Sequence, residues 1–113
     1  MKRIAVFCGS SYGASHAFRD GAVQLGKEFA RRKITLVYGG ASTGLMGTLA
    51  NTVMDEGGHV IGVIPKILEE REIAHKHLTE LHTVETMHER KAKMADLADG
   101  FIVLPGGAGT LEE

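Results

Sequence analysis

Short apolar runs alternate along the chain with longer segments in which apolar residues recur every three or four positions. The run Ile4–Cys8 is apolar throughout, which is typical of a β-strand buried on both faces of a sheet. In the segment 15–32, apolar residues from Phe18 to Phe29 recur at steps of four, three and four, which predicts an amphipathic helix. The chain therefore begins with a predicted strand followed by a predicted helix.

The same alternation continues almost to the end of the chain. It predicts further strands at 34–38, 60–64, 81–84 and 101–104, and further helices at 44–56 and 86–98. Residues 66–80 are charged and weakly periodic, and we interpret them as a loop with a helical turn. Strict alternation of strands and helices favours a parallel sheet with right-handed crossovers and helices on both faces. The predicted fold class is therefore α/β and Rossmann-like.

The last four residues, Thr110–Glu113, have the form of a capping box, which marks the beginning of a helix. One turn of helix is unstable by itself in water. We therefore expect residues 1–113 to form a single Rossmann-like domain that is incomplete at its C-terminus.

Composition narrows the classes of function. The chain has 113 residues, of which 43% are hydrophobic and 24% charged, and these values fit one ordinary globular domain. A formal net charge of -1 supplies no basic field for a phosphate backbone, so nucleic acid is not an expected partner. The single cysteine, Cys8, cannot form an intramolecular disulfide, and no apolar stretch is long enough for a membrane span. We therefore expect a soluble, cytoplasmic protein without a membrane partner.

Glycine is in excess, with 15 copies, and its positions are informative. Glycine-containing turns follow three of the predicted strands, at 9–11, 39–44 and 106–110. Because parallel strands all end at the same edge of a sheet, these turns are expected to lie close together. Glycine lets the backbone approach a ligand, and each following helix offers unpaired N–H groups, so the pattern predicts a phosphate site. Tight strand-to-helix turns would also explain any one of these loops.

Two familiar phosphate-binding motifs do not fit. A P-loop requires Lys and a hydroxyl residue after its second glycine, but Leu45 and Met46 follow Gly44. The dinucleotide fingerprint G-x-G-x-x-G fails after the first strand, so neither NAD nor ATP-driven phosphoryl transfer is expected. The histidines between positions 75 and 88 follow no strong metal-ligand pattern, and no metal is expected.

Two cations, Arg90 and Lys91, lie within the apolar stripe of the predicted helix 86–98 and are expected to point toward the interior. A buried charge is costly unless it is paired, so Arg90 is expected to meet an anion of the protein or of a ligand. Snorkelling over the core is the open alternative, especially for Lys91. Glu113 is expected either to close the capping box or to act beside a bound sugar phosphate.

Two segments carry a family resemblance. Residues 87–91 (Met-His-Glu-Arg-Lys) and 105–113 (Pro-Gly-Gly-Ala-Gly-Thr-Leu-Glu-Glu) resemble the paired signatures M-x-x-R-K and P-G-G-x-G-T-x-x-E of the Lonely Guy family. The segments 6–11, 37–47 and 59–65 are also similar to the family, so the resemblance covers the whole chain. Members of this family have long been mislabelled as lysine decarboxylases, and they continue past the P-G-G motif. The resemblance thus agrees with an incomplete domain.

The resemblance implies a phosphoribohydrolase of cytokinin biosynthesis. Such an enzyme hydrolyses the N-glycosidic bond of a nucleoside 5′-monophosphate, AMP or an N6-modified AMP, and releases the free base and ribose 5-phosphate. It implies Arg90 and Glu113 as the catalytic pair, no cofactor, and a homodimer. The substrate-binding positions that follow from it are Glu72, Lys91, Gly106, Gly107, Gly109 and Thr110, with Ser10, Gly40 and Gly44 completing the phosphate site.

Three other functions remain open on the residues alone. A non-catalytic carrier of a nucleotide or a phosphorylated cofactor could use the same fold and the same loops. A PLP-dependent lysine decarboxylase needs a Schiff-base lysine with a pyridinium partner, and the sequence marks no such pair. An interaction module is the third alternative, since an incomplete domain would expose apolar surface.

Overall fold

The structure is a computed structural model that describes residues 2–7, 16–40, 44–70 and 78–103. Its elements alternate between strands and helices, and the five strands form one parallel sheet in the order β4-β3-β2-β1-β5. The predicted α/β, Rossmann-like class is confirmed. In chain order the elements are β1 (Arg3–Phe7), α1 (His16–Arg31), β2 (Thr35–Tyr38), α2 (Gly44–Asp55), β3 (Val60–Pro65), α3 (Lys66–Glu70), β4 (Glu80–Val84), α4 (Met87–Leu97) and β5 (Gly100–Val103).

The predicted elements are present with boundaries that differ by at most one residue. Two local differences have a physical reason. β3 runs one residue beyond the predicted 60–64 and ends at Pro65, because proline is tolerated where a strand needs no further N–H donor. Residues 66–70 form the short helix α3, which has only five residues and is too short to show a helical period.

The start of α4 shows why this helix begins where the sequence predicts it. Thr86 caps the helix, and its hydroxyl accepts a hydrogen bond of 3.0 Å from the backbone N–H of Glu89. The Glu89 carboxylate accepts in turn from the backbone N–H of Glu85 at 3.0 Å. The Thr-x-x-Glu spacing thus satisfies N–H groups at the helix start that have no partner within the helix.

One face of the sheet is covered by α1 and α2. Alternate strand residues, among them Val6, Leu36 and Val60, point to this face. They form a continuous buried core with Phe29 of α1 and Leu49 of α2. This core contains more residues than the core on the opposite face of the sheet.

The other face is covered by α4. The intervening strand residues Ala5, Val37, Ile61 and Val63 form a smaller core with Met94 of that helix. At the β5 edge of this face the side chain of Phe101 is 55% exposed, although its ring stacks on Phe7 with a centroid distance of 5.9 Å. Helices therefore lie on both faces, as predicted, but they cover the two faces unequally. No helix within the described ranges has the length and apolar character that crossing a membrane requires.

Candidate functional site

The carboxyl ends of the strands share one edge of the sheet, because all five strands are parallel. The strand order reverses at β1, which lies between β2 and β5. The register pairs Phe7 with Val103, so β1 and β5 end side by side. Open α/β sheets bind ligands outside the carboxyl ends of the strands at such a reversal. The topology therefore makes this edge the candidate site.

Arg90 reaches this edge from the first turns of α4. Its Nη2 donates a hydrogen bond of 2.9 Å to the carbonyl oxygen of Gly39, immediately after β2. Its Nε donates to the carbonyl oxygen of Val63 in β3 at 3.1 Å. Its Nη1 lies 3.7 Å from the Met87 sulfur, one turn earlier in the helix. All three guanidinium nitrogens therefore contact the protein, two of them through backbone carbonyls.

These three contacts hold the guanidinium through uncharged atoms. The two carbonyls and the thioether are acceptors, and a planar guanidinium has several donors with fixed directions. The contacts place the guanidinium at the strand ends, where the sequence predicts an anionic ligand. Arg90 is half-buried and does not extend freely into solvent, which agrees with the expectation that it points toward the interior.

Lys91 does not share this position. Its side chain is exposed, so the prediction that both cations point toward the interior is wrong for Lys91. In an ideal helix Lys91 lies about 60° from Met94 and Arg90 about 40° on the other side, so Lys91 stands at the margin of the stripe. Its longer, flexible stem lets the ammonium reach water from there. A substrate contact of Lys91 stays a prediction.

Gly40 and Gly44 flank the turn between β2 and α2. Both adopt positive φ, 83° and 70°, where glycine carries no steric penalty. Both are buried, and Gly44 is the first residue of α2, a helix of 12 residues. The second glycine turn thus places a helix N-terminus at the same edge as Arg90, a position that favours anions. The structure brings Gly39, Gly40, Gly44 and Arg90 to one edge of the sheet.

The other predicted site residues lie outside the described residues. They belong to the segments after β1, between α3 and β4, and after β5. Their placement therefore stays a prediction for Ser10, Glu72, Gly106, Gly107, Gly109, Thr110 and Glu113.

Three groups at this edge were not predicted individually as parts of the site. The contacts of Arg90 add Gly39, the carbonyl of Val63 and Met87. Gly39 lies in the glycine turn 39–44 that predicts a phosphate site, but it was not singled out there as a site residue. A backbone carbonyl such as that of Val63 leaves no trace in the sequence, because every residue has one.

Tyr38, the last residue of β2, contributes no ionisable group at neutral pH. Its side chain is fully buried, and this burial raises the pKa of the phenol well above its usual range. The ring therefore stays neutral and acts as core packing below the glycine turn. Within the described ranges, no three His, Cys, Asp or Glu side chains are grouped so that they could hold a metal ion.

Comparisons with known proteins extend over the whole chain. The family model described as "Possible lysine decarboxylase" matches residues 46–113. Over 113 residues the chain is 55% identical to the probable cytokinin riboside 5′-monophosphate phosphoribohydrolase LOGL9 of Oryza sativa subsp. japonica, of which it covers 50%. It is also 55% identical over 113 residues to the cytokinin riboside 5′-monophosphate phosphoribohydrolase LOG7 of Arabidopsis thaliana, of which it covers 52%. The chain thus spans about half the length of these curated relatives.

A solved structure supports the fold. The Moco carrier protein from Chlamydomonas reinhardtii matches 99% of this chain with a TM-score of 0.81, and the match covers 67% of that protein. The sequence identity is 22%, so this likeness concerns the fold alone. The family model, by contrast, matches more than half of the chain and includes the segment of Arg90. The chain belongs to the Lonely Guy family, whose family model carries the description of a possible lysine decarboxylase.

Proposed function

We propose that this protein hydrolyses the N-glycosidic bond of a nucleoside 5′-monophosphate. The substrate is AMP or an N6-modified AMP such as a cytokinin riboside monophosphate, and the products are the free base and ribose 5-phosphate. Curated relatives at 55% identity, which bear the name cytokinin riboside 5′-monophosphate phosphoribohydrolase, support this choice of reaction and substrate class.

The anchored guanidinium of Arg90 carries the proposal. Two backbone carbonyls, those of Gly39 and Val63, fix its plane at the carboxyl edge, beside Gly40 and Gly44. A dianionic 5′-phosphate needs a cation and backbone N–H donors that are already in place, since preorganised groups cost no reorganisation when the substrate reacts. This edge offers a fixed cation and a helix N-terminus within the same region.

The reaction balances with water as the only co-reactant. A water oxygen bonds to C1′ of the ribose, the C1′–N bond breaks, and its electron pair leaves with the base, which takes up a proton. The sugar passes through an oxocarbenium-like state, as in other glycoside hydrolyses. In the proposed mechanism Arg90 positions the substrate and balances its negative charge. Glu113 stabilises the cation or orients the water, a role that rests on the family motif.

The remaining contacts follow the same motif. The Pro-Gly-Gly segment, with Gly107, Gly109 and Thr110, holds the phosphoribosyl group in this proposal. Glu72 and the exposed Lys91 contact the ligand from its periphery. Ser10, Gly40 and Gly44 complete the phosphate site.

The test is a product assay on the intact protein. AMP and an N6-modified AMP are incubated with the protein, and chromatography measures the free base and ribose 5-phosphate. Arg90→Ala is expected to lower the rate at least about 100-fold, the loss typical of a removed electrostatic contact to the reacting group. Glu113→Gln is expected to abolish turnover and to retain nucleotide binding. Lys27→Ala is the matched control, because it removes an exposed cation from α1 on the opposite face and should leave the rate unchanged.

Each outcome has a defined meaning. Release of the base at the wild-type rate by Arg90→Ala would contradict the role of this residue. Binding of nucleotide by the wild-type protein without any release of base would contradict the proposed hydrolysis and favour the carrier function. Bound PLP, visible as an absorbance band, would favour the decarboxylase instead.

We propose further that residues 1–113 belong to one nucleotide-binding domain and that the protein works in the cytoplasm as a homodimer, without nucleic acid. The near-neutral formal charge of -1 and the single cysteine support the location and the absence of nucleic acid. The exposed apolar side chains Phe101 and Val103 support an assembly, because paired copies could cover them. Light scattering of the intact protein tests the dimer.

A further inference from the structure

Gly39 stands against the guanidinium of Arg90 more closely than any side chain would permit. A Cβ atom added at Gly39 would lie 1.5 Å from Nη2 of Arg90 and 2.6 Å from its Cζ. The next atom, Nε of Arg90, would be 3.2 Å away. All three nearest atoms belong to Arg90, so the guanidinium occupies the space in which any other residue at position 39 would place its side chain.

The backbone of Gly39 does not itself require glycine. Among the described glycines, positive φ occurs at Gly40, Gly44 and Gly57, and Gly39 is not one of them. An alanine could therefore adopt the conformation of Gly39 without strain. The space taken by Arg90, rather than the turn, is what excludes a side chain at this position.

Gly40, the next residue, has a different structural role. The carbonyl of Gly39 belongs to the peptide unit that leads into Gly40, so its direction is coupled to the φ of Gly40. At 83° this angle is one that residues with a side chain rarely adopt. Gly40 therefore helps to aim the Gly39 oxygen at Nη2, while Gly39 leaves room for the guanidinium to approach it.

We infer that Gly39 is a positioning residue for Arg90. Its missing side chain and its carbonyl, together with the carbonyl of Val63, fix the plane of the guanidinium at the carboxyl edge of β2 and β3. This inference rests on the proposed function, because it assigns Gly39 a role in the reaction through Arg90. A lysine at position 90 could not satisfy both carbonyls in one plane, since its ammonium is a single centre on a flexible stem.

A set of four variants tests whether Gly39 acts through Arg90 in the intact protein. Gly39→Ala is expected to lower kcat/KM for AMP about 100-fold, because misplacing a catalytic group by an ångström costs about that much. Arg90→Lys lowers kcat/KM as well. In the Arg90→Lys background the added Gly39→Ala should change kcat/KM less than about twofold, because no Nη2 remains for the new Cβ to displace. Gly21→Ala is the matched control, since a Cβ there meets nothing within 4 Å.

Equal losses from Gly39→Ala in both backgrounds would overturn the inference, because they would show that position 39 acts independently of Arg90. We expect Gly39→Ala to fold, since the displaced guanidinium can move past Met87, which is 51% exposed. If Gly39→Ala does not fold, the double variant Gly39→Ala/Arg90→Lys shows whether a clash with the guanidinium is the cause. Its folding would support a clash with the guanidinium, and its failure to fold would contradict one.

A spectroscopic measurement separates this inference from the proposed function. The Nε–H of Arg90 donates to Val63 and should give a slowly exchanging NMR signal, which is assigned by its loss in Arg90→Lys. Gly39→Ala should shift this signal and speed its exchange with water. An unchanged signal would overturn the inference. If the signal responds while the wild-type protein hydrolyses no nucleotide, the proposed reaction fails and the positioning of Arg90 by Gly39 stands.

Discussion

The two faces of the sheet differ in how they are covered. On one face α1 and α2 pack together over a continuous core that includes the fully buried Leu49 and Val53. On the other face α4 covers a smaller core around Met94, and the side chain of Phe101 remains more than half exposed. Both faces are built from the same strands, so the difference arises from the helices.

The thinner face is the one that carries Arg90. α4 connects β4 at one edge of the sheet with β5 next to β1, and it packs across the face of the strands between them, with Met94 on Val37 and Ile61. This path allows a side chain from its first turns to contact the carbonyls of Val63 and Gly39. The main contribution of α1 and α2 is thus to stabilise the sheet, whereas α4 also places a charged group at its edge.

Truncating one buried side chain on each face should give the largest difference. Leu49→Ala, on the face of α1 and α2, is expected to lower the free energy of unfolding by about 2–5 kcal/mol, because it leaves a cavity in a closed core. Phe101→Ala should cost about 1 kcal/mol or less, since the ring is already largely hydrated and loses mainly its stacking on Phe7. Denaturant unfolding of the intact protein measures both. A loss for Phe101→Ala as large as that for Leu49→Ala would show that its face is covered in solution.

The joint packing of α1 and α2 depends on a glycine. A Cβ added at Gly26 would lie 2.7 Å from the Cβ of Thr52 and 3.2 Å from the carbonyl oxygen of Leu49, whereas a Cβ at Gly21 meets nothing within 4 Å. Gly26→Ala should therefore push the helices apart. We expect it to lower the free energy of unfolding by about 1 kcal/mol, after the gain from the better helix propensity of alanine is subtracted. Gly21→Ala should raise stability by about 1 kcal/mol.

These two variants control one another, because they make the same chemical change in one helix. Thermal unfolding should place their midpoints on opposite sides of the wild-type value. If Gly26→Ala also stabilised the protein, the helices could not be in the close contact that the structure shows.

Much of the fold was predictable because its signals are local. Buried strands appear as unbroken apolar runs, such as that of β2, and α4 begins at a threonine followed three residues later by glutamate. The strand order was not predicted, because it depends on which distant segments pair. α3 was also missed as a regular helix, since five residues carry no usable period.

The candidate site was predictable only in part. The family motif and the apolar stripe both pointed to Arg90, and its half-buried position agrees with the stripe. The same stripe was misleading for Lys91, because a long side chain at the margin of a helical face can extend toward water. The acceptors of Arg90 could not be predicted, since they are backbone atoms brought together by the order of β2 and β3.

The cluster of Glu80, His59 and His82 should give the smallest effect, because its side chains are between about a third and a half exposed. Glu80, the first residue of β4, lies 3.1 Å from Nε2 of His59 and 3.3 Å from Nε2 of His82. Hydrogen bonds from both imidazoles, that of His59 first, hold the pKa of the Glu80 carboxyl below its usual value of 4.5. The ionised carboxylate thus stabilises the folded protein above about pH 4.5, and this contribution disappears as the pH falls through the lowered pKa. Glu80→Gln should therefore be less stable than wild type at pH 6 by at most about 0.5 kcal/mol, and this difference in stability should shrink as the pH falls below about 4.5. Paired unfolding curves across this range measure the difference, and a difference that stayed constant with pH would show that the carboxylate makes no such contribution.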